Sequence, residues 1–63
     1  MSNEEVKDTH AELTNVVASL DYDLARVLAG NKSSHTAMRN KLQSVKKLVD
    51  TLRKQILTHQ KEL

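Results

Sequence analysis

Residues Val27-Leu28-Ala29-Gly30-Asn31-Lys32-Ser33-Ser34 hold the one strong helix breaker of this chain, close to its middle. Gly30 suits the left-handed backbone position that ends a helix, because it has no Cβ to clash there. Asn31, Ser33 or Ser34 can cap a following helix, each offering a short side-chain oxygen to free backbone N–H groups. The chain has no proline and no second glycine, so no comparable break occurs elsewhere.

Outward from this break, both flanks read as helix. Val6, His10, Leu13, Val17, Leu20, Leu24 and Val27 alternate by four and three residues, the heptad spacing of a helical seam. Met38, Leu42, Val45, Val49, Leu52, Ile56, His59 and Leu63 do the same. Ser2 with Glu5 forms a capping-box pattern at the start. A sheet protein would need more turns and more aromatic mass than the single Tyr22. The expectation is an all-α domain over 1–63: helix 1 about 3–29, turn about 30–32, helix 2 about 33–61.

A loop this short turns the helices antiparallel. Facing residues then have numbers that sum to about 62. Leu24 meets Met38, Leu20 meets Leu42, Val17 meets Val45, Leu13 meets Val49 and Val6 meets Ile56, apolar on apolar throughout. On the flanks Asp21 is expected beside Arg39, Asp23 beside Lys41 and Val16 beside Leu48. Ala11, Ala18 and Ala25, with Val16 and Leu28, widen the apolar arc of helix 1 beyond what one partner helix needs. A two-helix layer of this size cannot fully bury such a seam. A homodimer is therefore expected, a four-helix bundle with the first helices innermost.

Charge is divided between the halves. Residues 1–30 carry two cations against six acids, net −4; residues 31–63 carry eight cations against Asp50 and Glu62, net +6. Lys32, Arg39, Lys46 and Arg53 recur every seven residues, and Lys47, Lys54 and Lys61 repeat one position on. Together they read as one basic stripe about 43 Å long, with Gln43, Ser44, Asp50, Thr51 and Thr58 on the opposite flank. An unpaired row of one sign repels itself, which favours a polyanionic partner. Charge alone leaves open both a nucleic acid and an acidic protein that docks on a helical-hairpin adaptor. Base reading on exposed strands needs aromatic platforms, so one tyrosine points to the phosphates of a duplex, read with little sequence preference.

Other chemistries find little support. There is no cysteine and no glycine-rich phosphate loop, and the core is too small for a substrate pocket. Neither an enzyme, nor a cofactor, nor a small-molecule substrate is expected. Asp21 and Asp23, two residues apart on a helix, point to different faces. Met38 reads as core filler. His10 and His59 are seam positions, with His59 opposite Asn3 and about 10 Å from His10, so they are not expected to share a metal; His35 stands alone. No apolar run approaches a membrane span, and no Trp or Phe is present to anchor an interfacial helix. The start of the chain does not read as a secretory signal, and the lack of cysteine fits a reducing, cytoplasmic setting.

The second half resembles the bacterial linker-histone-like nucleoid proteins, the chlamydial type, with relatives in other bacteria and some large DNA viruses. The resemblance rests on Gly30-Asn31-Lys32 at the break, small residues Ser33 and Ser34, then Arg39, Lys47, Leu48 and the pair Arg53-Lys54, and covers about residues 24–58. Ala37 stands where members often have a further arginine, and no Lys/Ala-rich tail follows Leu63. The resemblance implies a histone-like DNA-binding protein of nucleoid or virion. It would organise or compact DNA through its helical body, with phosphate contacts from Lys32, Arg39, Lys46, Lys47, Arg53, Lys54 and Lys61.

Overall fold

The structure is a computed structural model and describes residues 3–62. Helix α1 runs Asn3–Leu28 and helix α2 runs Lys32–Lys61, packed along each other as one hairpin. Among the described residues there is no strand. The Cα trace measures 49 × 14 × 11 Å, a slab two helices wide and one helix thick. Ser2 and Leu63, the proposed cap and the last seam position, lie outside the described residues.

The break works as a Schellman turn followed at once by a cap. Gly30 has φ +91°. Its N–H donates to the Val27 carbonyl at 3.0 Å, and the Asn31 N–H donates to the Arg26 carbonyl at 3.1 Å. These bonds satisfy two of the carbonyls a helix end leaves open. Asn31 Oδ1 then accepts from the Ser34 N–H at 3.3 Å and the Ser33 hydroxyl at 2.7 Å. Asn31, not Ser33 or Ser34, is the cap, so α2 begins at Lys32, one residue before the expected start, and α1 ends at Leu28. His35 Nδ1 donates to the Asn31 carbonyl at 2.9 Å.

The register is the expected one, but the seam is rotated. His59 Nε2 donates to Asn3 Oδ1 at 3.0 Å, which sets residue 59 level with residue 3. Asp23 and Lys41 pair at 2.6 Å, as their levels require. On α1 the inward positions are Val6, Thr9, Leu13, Val16, Leu20, Asp23 and Val27. On α2 they are Ser34, Met38, Lys41, Val45, Leu48, Leu52, Gln55 and His59. Eight of the fourteen described seam positions are therefore inward as expected. The other six are not: His10, Val17 and Leu24 face solvent, as do Leu42, Val49 and Ile56. Thr9, Asp23 and Ser34 are buried in their place.

The reason is local pairing. Each helix has a shared apolar row with a mixed row on one side (Thr9, Val16 and Asp23; Ser34, Lys41, Leu48 and Gln55) and a more apolar row on the other. The mixed row can enter the interface because Val16 and Leu48 go in with it and most of its polar groups find partners. The Asp23 carboxylate has the Lys41 ammonium as its ion-pair partner. Ser34 Oγ accepts from Arg26 Nε at 3.1 Å, and Thr9 Oγ1 donates to the Glu5 carbonyl at 3.0 Å. Gln55 Oε1 is buried without a partner among the described residues. The outcome is unusual for a folded unit: among the described residues no apolar side chain is buried.

The expected Asp21–Arg39 pair is absent; both side chains are exposed and neither forms an ion pair within the described residues. Register fixes the level of two residues, not their face. Asp21 is two positions from Asp23, a turn of about 200° around the helix, so it cannot point into the same interface. The alanine row is exposed as well.

Candidate nucleic-acid interface

Lys32, Arg39, Lys46, Lys47, Arg53, Lys54 and Lys61 all lie on α2 and all are exposed. The helix holds them in line because it runs for 30 residues without a break. They do not form one merged stripe. One position along an α-helix is a rotation of about 100°. Lys32, Arg39, Lys46 and Arg53 therefore form one row, and Lys47, Lys54 and Lys61 a second row about a quarter-turn away. Thr36, Gln43, Asp50 and Leu57 fill the angle between them. Gln43 and Asp50, read from sequence as part of an opposite flank, lie between the basic rows and line a shallow groove with Lys46, Lys47 and Arg53.

Few of these cations are neutralised. Lys54 meets Asp50 at 3.3 Å, one turn back on the same helix, with both groups largely in solvent. An exposed pair of this kind is worth well under 1 kcal/mol and yields to a stronger anion. The other six form no ion pair among the described residues. Lys41 is the one α2 cation given over to the fold, through buried Asp23.

The first row borders an apolar surface. Arg39 and Lys46 line a groove with Leu42. Arg53 lines another with Leu13, Val49, Leu52, Ile56 and Leu57. Val17, Leu24, Leu42, Val49 and Ile56 are each 42–49 % exposed, so this face of the slab is an open apolar strip contributed by both helices.

Sequence reading missed Arg26. Its guanidinium sits 5.3 Å from the Tyr22 ring centroid, Nη1 donates to Tyr22 Oη, and Nε reaches Ser34 across the turn. The i,i+4 spacing of Tyr22 and Arg26 was the available signal. The one aromatic ring is thus already engaged by a cation. Among the described residues no three His, Asp or Glu side chains are grouped to hold a metal ion, and no helix is long and apolar enough to cross a membrane.

No curated protein and no solved structure gives a significant match to the chain. A family model does, that of Histone H1-like protein Hc1, over residues 7–62, from the second turn of α1 through the end of α2. A match of that extent, on an all-helical hairpin whose break and basic second helix carry the resemblance already noted, places the chain in the Histone H1-like protein Hc1 family.

Proposed function

We propose that this chain is a non-catalytic, histone-like protein that binds duplex DNA through its phosphates, with little sequence preference, as part of a nucleoid. The observation that carries this reading is the set of seven exposed cations on α2, of which only Lys54 meets an acid among the described residues, in a chain of a histone H1-like family. The contacts assigned are Lys32, Arg39, Lys46, Lys47, Arg53, Lys54 and Lys61. Bound phosphates replace counterions, so affinity falls with salt at a log–log slope of about −0.9 per phosphate neutralised. A gel shift on random-sequence duplex at rising salt measures it. No shift at tens of micromolar and low salt ends the reading. Lys47→Glu with Lys54→Glu abolishes the shift and leaves the melting temperature unchanged. If that variant still binds, the basic helix serves an acidic protein partner instead.

The working unit is a homodimer, closed over the open apolar strip. A strip this long, on a slab with no buried apolar side chain among the described residues, is favourable to cover. Charge points to a second copy and to its orientation. With the two-fold axis along the helices, each α1 covers the partner's α2. The row Lys7, Thr14, Asp21 and Leu28, with one charge of each sign, then meets the four-cation row Lys32, Arg39, Lys46 and Arg53. With the axis across the helices, two four-cation rows face each other, a repulsive arrangement. The first helices are then not innermost as the alanine row implied; both helices share the interface equally. Light scattering after size exclusion gives the mass, and a monomer at all concentrations rules the dimer out.

A further inference from the structure

The two basic rows of α2 stand in different relations to the apolar strip, and this gives the protein a mode of action. Leu42, Val49 and Ile56 form the α2 side of the strip. The nearer basic row follows four positions on, a rotation of about 40°, and the farther row five positions on, about 140°. The grooves agree for the nearer row: Arg53 touches the same cavity as Val49 and Ile56, and Arg39 and Lys46 the same cavity as Leu42. By the same rotation Lys47, Lys54 and Lys61 lie toward the other broad face of the slab, beside the small side chains Ser44, Thr51 and Thr58, although Lys47 also borders a groove that reaches Val49 past Lys46 and Asp50. Those short residues do not stand between the lysines and a large rigid anion. Asp8 and Glu12 lie on α1 across that face, so the α2 side is its cationic half.

We infer that the protein bridges two DNA duplexes, one on each outer face of its dimer. This rests on the proposed function, both the DNA reading and the dimer. When a second copy covers the apolar strip, the nearer row is brought to the rim of the interface. The farther row is turned outward, and the two-fold axis points the two copies of it in opposite directions. One duplex cannot reach both, because two packed layers of helix separate them, each about 10 Å thick. The ligand is the same on each side: the phosphate backbone of double-stranded DNA.

The test uses the full chain and two duplexes of unrelated sequence, one fixed to beads and one labelled in solution. The expected result is capture of the labelled duplex at protein concentrations that shift either duplex alone, at least tenfold above beads without protein. Lys47→Gln/Lys54→Gln/Lys61→Gln, all exposed positions, keeps the helical circular dichroism and the dimer mass and reduces capture at least tenfold. Val49→Asp, on the apolar strip, shifts a single duplex but no longer captures a second. A normal gel shift with no capture by the wild type overturns bridging and leaves DNA binding standing. No shift on any duplex overturns both. Capture by the triple variant equal to that of the wild type overturns the assignment to the outward row.

Discussion

Asp23 shows how little of a residue's role is set by its type. Its neighbour Asp21, the same acid two positions earlier, lies in solvent, while Asp23 is only 5 % exposed and held by Lys41. A buried carboxylate that loses its counter-charge costs several kcal/mol, whereas a lysine that loses its acid can swing its long stem into water. Lys41→Met is therefore expected to lower stability by about 3 kcal/mol, and Asp23→Asn by much less. Lys41→Met combined with Asp23→Leu restores most of the loss, because it removes the unpaired charge as well. Thermal melts of the four proteins check this. From sequence, the level of Asp23 and Lys41 was legible through the register; that the pair would be drawn inside was not, because it depends on which flank of each seam closes.

At the scale of the helix, the break was the most legible feature. Gly30 ends α1 at positive φ and Asn31 opens α2, as residue type alone anticipates. Asn31 acts for both elements: its N–H closes α1 and its side chain caps α2. Asn31→Ala is expected to cost about 1 kcal/mol, a fall of roughly 4–8 °C in melting temperature for a domain of this size. Asn31→Asp restores it, since a carboxylate accepts the same bond and suits the helix N-terminus. The seam was half legible. Val6, Leu13, Leu20 and Val27 are inward as their period requires, but Val17 and Leu24 are outward although their period is as good. A heptad pattern marks which residues share a row. It does not say which of two rows beside a shared one a single partner helix will cover.

For the whole molecule, the slab has one apolar face, one face with a cationic half, and acids concentrated on one helix. The proposed dimer sets Asp21 of each copy near Arg39 of the other, which accounts for both being unpaired within one hairpin. Asp21→Lys and Arg39→Asp are each expected to weaken self-association, since each variant meets like charge twice across its two-fold axis. Mixed in equal amounts they associate with each other, because both contacts are then between opposite charges. Light scattering on the separate and mixed variants reads this. Mixed variants that stay as weakly associated as the separate ones refute the lengthwise axis.

The sequence by itself determined that there are two helices, where they turn, which residues stand level, and that the positive charge gathers on the second. Those properties follow from short-range chemistry: backbone freedom at glycine, side-chain caps, and a fixed rotation per residue. Tertiary structure alone decided that polar Thr9, Asp23 and Ser34 go inside while Val17, Leu24, Leu42, Val49 and Ile56 stay out, and so how the basic rows lie against the open apolar strip. The physical reason is that burial is a competition between whole flanks. The flank carrying Thr9, Val16 and Asp23 on α1 and Ser34, Lys41 and Leu48 on α2 closed with an ion pair and hydrogen bonds for its polar groups, which left the more apolar flank without a cover.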